Sequence, residues 1–224
     1  MTSLTLENKI QKLHKEFSDC TRCPLHLTRN QLVFGEGNPK NKILLIGEGP
    51  GKEEDSSGRP FVGKSGKLLT TAIESIFNDT RINSVYITNI VKCRPTLVNK
   101  VVNKVANTIA NDVENKTVKD RPPTPEEVEK CMPILLAQID LLAPDVIISL
   151  GSSALNALIS ANAGNNKKNK TKVSITKMRG KQTEFSGITL VPTFHPSYVL
   201  RNGGHSSAMW KVFLDDLKFA VSLA

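Results

Sequence analysis

A glycine-rich segment, set between a short apolar run and a helical pattern, restricts the fold of this chain more than any other feature. Residues 43–46 form an unbroken apolar run, as in a strand buried on both faces, and apolar residues recur at helical spacing over 68–77. The loop between them contains glycines at positions 47, 49, 51, 58 and 63, carboxylates that include Glu48 and Asp55, and the aromatic Phe61. Because ligands bind at the carboxyl ends of parallel strands, we predict the active site in this loop.

Residues 58–65 within the same segment match the phosphate-binding loop of nucleotide triphosphatases. That loop follows a buried strand directly, whereas the residues before Gly58 are polar and charged. Pro60 also lacks one of the amides that a phosphate cradle uses. We interpret the match as accidental, and a nucleotide-binding protein is kept as an alternative function.

The length and composition favour one domain over residues 1–224. Hydrophobic residues make up 39% of the chain, enough for a core. No apolar run approaches the ~20 residues of a membrane span, and the first nine residues lack the pattern of a secretory signal. We therefore expect a soluble, cytoplasmic protein that does not contact a membrane.

The net charge of +9 is concentrated in one stretch, because residues 165–181 contain six lysines, one arginine and no acidic residue. A solvated Lys/Asn-rich loop, centred on about 162–172, explains this charge as well as a phosphate-binding surface does. The charge thus favours a polyanionic partner without identifying it.

The cysteines point to a metal centre. Cys20 and Cys23 form a Cys-x-x-Cys pair, and Cys93 and Cys131 lie far downstream. Scattered buried thiols or a disulfide are the alternatives, but the tight first spacing and the absence of a fifth cysteine favour metal binding. By number alone, four thiolates suit zinc and an iron–sulfur cluster equally well.

Four strands joined through helices are predicted, which indicates a parallel α/β sheet. In such a sheet, Glu48 after the first strand and Asn89 near the end of the second lie at the same rim. His195 follows the fourth strand in a His-Pro pair and joins them there, which favours a functional role over a structural one. The predicted strands cover residues 43–46, 84–91, 145–150 and 188–191; the predicted helices cover about residues 6–17, 68–77, 125–142, 152–159 and 206–222.

Residues of about 96–120 differ in composition from their surroundings and are interpreted as an insertion. They are rich in Val, Asn, Lys and Thr and show a moderately helical pattern. The helix that follows is well signalled, because Thr124, Pro125 and Glu127 form the pattern of a capping box.

Four segments, at residues 47–55, 59–66, 88–95 and 195–201, are interleaved with the four cysteines. Their sequences and their order resemble those of family 4 uracil-DNA glycosylases. This is the iron–sulfur branch of the uracil glycosylase superfamily. The resemblance implies a three-layer α/β/α sandwich with a central four-stranded parallel sheet. It also implies a 4Fe-4S cluster bound by Cys20, Cys23, Cys93 and Cys131. Between the last two cysteines lie 37 residues, more than the family usually has, and we expect the insertion to loop out at little entropic cost.

The resemblance further implies that a uracil nucleotide is flipped out of DNA and held in a pocket. Phe61 would stack on the base, and Asn89 would bond the edge that distinguishes uracil from cytosine. His195, with the Gly49 amide, would donate to the uracil oxygen, while Glu48 would position water or stabilise the sugar cation. The implied catalytic residues are Glu48, Asn89 and His195; the implied uracil contacts are Glu48, Gly49, Pro50, Phe61, Asn89 and His195.

The implied DNA-binding residues follow the His-Pro pair. Leu200 would fill the space that the base leaves, and Arg201 would meet phosphates. The full set is Ser197, Tyr198, Leu200 and Arg201.

We therefore predict a monofunctional DNA glycosylase that removes uracil from single- or double-stranded DNA and so initiates base excision repair. The protein is expected to act as a monomer, and a sliding clamp is kept open as a partner. A second alternative is a zinc-containing nucleic-acid-binding module without catalysis.

Overall fold

A computed structural model describes residues 4–98, 118–162 and 172–224. The strands in these residues are β1 (Glu36–Gly37), β2 (Ile43–Gly47), β3 (Tyr86–Asn89), β4 (Thr96–Val98), β5 (Val118–Asp120), β6 (Val146–Leu150), β7 (Thr183–Phe185) and β8 (Ile188–Thr193). Six of them form one sheet, in the order β1-β3-β2-β6-β8-β7.

The four strands at the centre of the sheet, β3, β2, β6 and β8, are parallel and confirm the predicted set. The prediction of four strands was nevertheless incomplete, because β1 and β7 pair antiparallel with the two outer members. Strands of two and three residues are too short to show an alternating pattern. Both are edge strands, whose positions depend on the neighbour they pair with.

The helices of the described residues are α1 (Leu6–Phe17), α2 (Lys52–Ser57), α3 (Lys64–Phe77), α4 (Arg81–Ser84), α5 (Pro125–Leu142), α6 (Gly151–Asn162), α7 (Ile175–Met178), α8 (Pro196–Arg201) and α9 (Ala208–Val221).

Alternate residues of each central strand enter different cores, as in a sheet that is covered on both faces. Leu44 and Ile46 belong to a cluster that includes apolar residues of α1, α5 and α6. Ile43 and Leu45 belong to a second cluster, with residues of α3 and α9. This is the predicted three-layer sandwich.

The helix boundaries confirm the capping signals. Thr124 Oγ1 accepts a hydrogen bond from the Glu127 amide at 3.2 Å, and the Glu127 carboxylate accepts one from the Thr124 amide at 2.7 Å. This reciprocal pair starts α5. Across the three described stretches, no helix has the length and apolar character that a bilayer crossing requires.

The two ends of the predicted insertion are strands, not helix. β4 and β5 form an antiparallel two-stranded ribbon in which Thr96 is opposite Asp120. The moderately helical pattern runs through residues 98–109, of which the structure describes only Val98, and Val98 lies in β4. The centre of the insertion, 99–117, and residues 163–171 of the basic stretch lie outside the described residues.

Candidate active site and cysteine cavity

A cavity of about 180 Å³ opens at the carboxyl ends of the central strands, and we call it the rim pocket. Backbone bonds hold two of its loops side by side, since the Ile90 amide donates to the Gly47 carbonyl at 2.9 Å. All six residues that the resemblance implied for uracil binding line this pocket. The rim pocket is lined by Glu48, Gly49, Pro50, Gly51, Glu54, Phe61, Ser65, Asn89, Pro95, Asp120, Arg121 and His195.

Gly47 leaves room for the two side chains above it. A Cβ atom on this residue would lie 2.4 Å from Asn89 Oδ1 and 2.4 Å from Phe61 Cζ, far inside contact distance. Any side chain at this position would displace the amide or the ring. The glycine at the end of β2 therefore makes the closed end of the rim pocket possible.

Asn89 has a buried oxygen with no partner. Its side chain is 2% exposed, and among the described residues no group donates to Oδ1. A buried polar atom without a hydrogen bond is costly and rare, so it calls for an explanation in each structure. At the wall of the rim pocket, this oxygen is an acceptor that a donor on a bound molecule could reach.

The His195 ring is oriented by Ser197, in the first turn of α8. Its Nδ1 accepts a hydrogen bond from the Ser197 amide at 3.1 Å and lies 2.7 Å from Ser197 Oγ. Because an amide can only donate, Nδ1 carries no proton, and the neutral ring carries its proton on Nε2. Burial lowers the pKa of His195 from 6.5 to about 4, with a smaller contribution from Arg201, so the ring is neutral at pH 7. The pocket thus contains a neutral imidazole donor.

Glu48 is held by a residue that the sequence analysis missed. Ser153, in the first turn of α6, donates from its hydroxyl to Glu48 Oε2. In the sequence, only the position of Ser153 just after the third parallel strand hints at this contact. The bond fixes one carboxylate oxygen at the rim and leaves the other available.

Glu54 is a second residue of the rim pocket that the sequence analysis did not select. Its Oε1 accepts hydrogen bonds from the amides of Val62 at 2.9 Å and Gly63 at 2.8 Å. These amides belong to the stretch that matches a phosphate-binding loop. Since a carboxylate already occupies them, and α2 instead of a strand precedes the stretch, the nucleotide-binding interpretation is rejected.

The β4–β5 ribbon also contributes to the rim pocket through Asp120 and the following Arg121. Arg94 Nε donates to Asp120 at 2.6 Å, and Arg121 makes two bonds to the buried Glu127 carboxylate, at 2.7 and 2.6 Å. Sequence reasoning missed both pocket residues, because they lie beyond an insertion and reach the pocket only through strand pairing.

Helix α8 presents apolar side chains to solvent beside the rim pocket. Tyr198 and Leu200 are 39% and 38% exposed, while Val199 between them is buried. Arg201 is also exposed. Of the four residues implied for DNA binding, Ser197 alone is engaged with the histidine ring, and the other three are exposed.

The basic stretch is less free than its sequence indicates. Arg179 makes a bidentate ion pair with Asp216, with a distance of 2.8 Å from Nε to Oδ2. Its guanidinium also lies 5.6 Å from the centre of the Phe194 ring. Arg179 therefore holds α9 to the sheet and is not a free cation.

The four cysteines are unpaired thiols that line a second cavity, the cysteine cavity. The disulfide alternative is thereby rejected. Arg29 Nη1 donates to Cys93 Sγ at 3.4 Å, and the Lys92 amide donates to Cys131 Sγ at 3.3 Å. Four basic residues also line this cavity. These residues are Arg22, Arg29, Lys92 and Lys130, and burial lowers the pKa of Lys92 to about 7.

The described residues contain no group of three or more His, Cys, Asp or Glu side chains arranged to hold a metal ion. Burial raises the pKa of Cys93 to about 11, so its thiol is protonated at neutral pH unless a metal displaces the proton. The cavity thus supplies an all-sulfur donor set with N–H···S bonds and surrounding basic residues. These are properties that iron–sulfur centres use.

Lys92 connects the two cavities. Its side chain is fully buried, and Nζ donates to the Asn89 carbonyl at 2.6 Å and to Thr88 Oγ1 at 2.7 Å. The residue that follows it is Cys93. The segment that places Asn89 in the rim pocket is therefore the same segment that places a thiol in the cysteine cavity.

The fold and the site define a class of α/β protein with a polar pocket at the rim of a parallel sheet and a four-thiol cavity beside it. A profile of the uracil DNA glycosylase superfamily matches residues 34–218. The chain belongs to this superfamily.

Three similar proteins are named type-4 uracil-DNA glycosylases. The one from Thermotoga maritima is 40% identical over 97% of this chain and 96% of its own length. The one from Pyrobaculum aerophilum is 38% identical over 86% of this chain and 85% of its own length. The third, from Sulfurisphaera tokodaii, is 34% identical over 97% of this chain and 86% of its own length. These matches cover nearly all of each protein.

Proposed function

We propose that the protein is a uracil-DNA glycosylase, which flips uracil out of DNA and hydrolyses its N-glycosidic bond to leave an abasic site. The observation that carries this proposal is the unpartnered Asn89 Oδ1, buried in a pocket beside an aromatic ring and a neutral imidazole donor. A flat base with an N–H on its edge and carbonyl oxygens on either side fits these three groups.

Asn89 selects the base. Its Oδ1 accepts from uracil N3–H, and its amide nitrogen donates to O4. Cytosine presents the opposite pattern at these two atoms, so it would leave buried polar groups unpaired. The buried position of Asn89 makes that mismatch costly, because water cannot replace the missing partner.

Phe61 provides the stacking face. Its ring lies over Gly47, and the centre of the His195 ring is 6.1 Å from its own. A base stacked on Phe61 is therefore within reach of the histidine. Stacking tolerates any base, so the ring contributes affinity and Asn89 contributes selectivity.

His195 and Glu48 act on the two charges that bond cleavage creates. The Nε2–H of His195 donates to uracil O2 as negative charge develops there, and the imidazole remains neutral. Glu48, fixed by Ser153, either orients the attacking water or stabilises the oxocarbenium-like sugar. The two roles place the same carboxylate on the sugar side of the base.

Helix α8 holds the DNA open. Leu200 and Tyr198 are exposed beside His195 and can enter the space that the extruded base leaves. Arg201, at the end of the helix, contacts a phosphate, and salt weakens that contact. Ser197 orients the imidazole and, in this proposal, also contacts the DNA backbone.

Cys20, Cys23, Cys93 and Cys131 hold a 4Fe-4S cluster in this proposal. When bound, the cluster supplies a structural crosslink between α5, the loop behind α1 and the segment after Asn89. The N–H···S bonds to Cys93 and Cys131 and the four lining basic residues support this assignment.

The chain also acts, in this proposal, as a single domain and as a cytoplasmic monomer. One sheet joins strands from Glu36 to Thr193, and the two core clusters contain residues from Ile10 to Ala220. Elements from both ends of the chain therefore share the same cores.

The test is cleavage of a labelled oligonucleotide that contains one uracil, opposite adenine, opposite guanine or unpaired, without magnesium and followed by alkali. Strand scission only after alkali is expected, with none for matched thymine or cytosine oligonucleotides. Asn89→Ala should lower the rate about ten- to a hundredfold, the cost of one lost buried partner. Absence of scission by protein with its iron bound would contradict the proposal.

A further inference from the structure

Phe61 has a backbone conformation that side chains rarely adopt. Its φ is +54°, in the left-handed region that glycine usually occupies. Such a conformation persists only where the surroundings hold it, and it concentrates at functional sites. The question is which residues hold the stacking ring in this position.

One side of Phe61 is held through its carbonyl. Arg81 is 6% exposed, and its Nη1 donates to the Phe61 carbonyl at 2.8 Å. Arg81 is itself paired with Glu36. Helix α3 packs against the same peptide, because a Cβ on Gly66 would lie 2.1 Å from the Phe61 carbonyl carbon.

The other side of Phe61 is held by Glu54. This carboxylate is 9% exposed and accepts from the two amides that follow Phe61, those of Val62 and Gly63. Its second oxygen accepts from the Gly51 amide at 3.1 Å. Within the described residues, the ion pairs do not include Glu54, so backbone amides satisfy its charge.

Glu54 therefore joins the two walls of the rim pocket. Gly51 lies at the end of the wall that contains Gly49 and Pro50. Val62 directly follows Phe61, the aromatic residue of the other wall. Each oxygen of the Glu54 carboxylate bonds to one of the two walls.

We infer that Glu54 is a positioning residue for base recognition, which acts through Phe61. This inference rests on the proposed function. In this role, Glu54 keeps Phe61 in position for stacking before the base arrives, and it does not contact the reacting atoms.

The test compares two DNA ligands. One contains a 2′-fluoro-2′-deoxyuridine, which presents uracil without being cleaved, and the other contains a tetrahydrofuran abasic site. Glu54→Ala should reduce the preference for the uracil ligand over the abasic one by about tenfold, the order of a base–aromatic stack. Glu54→Gln should have a smaller effect, because its amide oxygen can still accept from Val62 and Gly63.

The matched control is Asp55→Asn. Asp55 is also buried, and it accepts from the Asn30 amide at 2.9 Å and from Asn30 Nδ2 at 2.7 Å, away from Phe61. This change should lower the melting temperature and leave the ligand preference unaltered. If Asp55→Asn alters the preference as much as Glu54→Gln does, Glu54 has only a general structural role and the inference is overturned.

A double-mutant cycle tests the route through the ring. In a Phe61→Ala background, Glu54→Gln should change the uracil preference less than twofold, because the group that it positions is gone. If Glu54→Gln changes the uracil preference as much in the Phe61→Ala background as it does in the wild-type protein, the inference is overturned. If Glu54→Ala does not fold, Glu54→Gln and Asp55→Asn provide the same comparison.

Wild-type cleavage separates this inference from the proposed function. A wild-type protein that fails to excise uracil would contradict the function. A wild-type protein that excises uracil, with Glu54 variants of unchanged ligand preference, would contradict the inference alone.

Discussion

The rim pocket takes its residues from the carboxyl ends of neighbouring parallel strands, whereas the cysteine cavity takes its thiols from three distant parts of the chain. In the pocket, short loops and backbone hydrogen bonds such as that from Ile90 to Gly47 hold the side chains in place. In the cysteine cavity, two weak N–H···S bonds contact the sulfur atoms of Cys93 and Cys131. The pocket is thus formed by the sheet itself, while few contacts within the described residues hold the thiols in place.

The two regions nevertheless share one segment. Residues 89–93 run from the pocket to the cysteine cavity, and Lys92 bonds back to the Asn89 carbonyl. A substitution at the thiols can therefore alter base selection by Asn89, although its larger effect should be on the stability of the folded protein. The following predictions test how far the two regions are independent.

The largest effect is expected in the rim pocket. His195→Ala removes the neutral donor and should lower single-turnover excision about a hundredfold or more. DNA affinity should change little, because the α8 side chains that we propose to contact DNA are exposed on the helix itself. His205→Ala is the matched control, since His205 is exposed and packs on Trp210, and its rate should be unchanged. Equal losses of rate and affinity in His195→Ala would contradict the donor role.

The cysteine cavity should respond mainly in stability. Cys131→Ser removes one thiol, and a loss of ~2 kcal/mol would lower the melting temperature by about 4–8 °C in a protein of this size. Iron content should fall with it. The same substitution should have a much smaller effect in iron-free protein. An equal decrease with and without iron would mean that Cys131 contributes only packing.

Ser153 tests the support of Glu48. Ser153→Ala removes a hydrogen bond to a carboxylate and should lower the excision rate about tenfold, with KM nearly unchanged. Ser153→Thr keeps the hydroxyl and should restore most of the rate. Ser152→Ala, on the exposed neighbour in the same turn, is the control. If Ser153→Thr is as slow as Ser153→Ala, the hydroxyl does not act through Glu48.

The smallest effect concerns pH. The pKa of His195 is lowered from 6.5 to about 4 by burial, so between these values the unfolded chain takes up a proton that the folded protein does not. Stability should therefore decrease as the pH falls from 6.5 towards 4. Melting temperatures of wild type and His195→Gln at pH 4.5 and 7.5 measure this, and the variant should lose less. The same decrease in both would assign the proton uptake to another group.

Sequence reasoning found the pocket residues that follow strands and missed those that reach the pocket through tertiary contacts. Glu48, Asn89 and His195 were predictable, because apolar runs mark the strands and parallel strands end at one rim. Glu54 and Ser153 were not, since their roles depend on which amide or carboxylate they meet across the loop. A glutamate three residues after Gly51 is a capping signal, which was the one local clue to Glu54.

Local patterns by themselves determined the central parallel strands, the α5 cap and the residue types at the rim, because apolar periodicity and capping depend on near neighbours in the chain. Only the tertiary structure decided the two edge strands, the β4–β5 ribbon, the engagement of Arg179 with Asp216, and the convergence of four thiols on one cavity. Each of these joins residues far apart in sequence. Their contacts depend on loop closure and pairing, which no short window of the sequence contains.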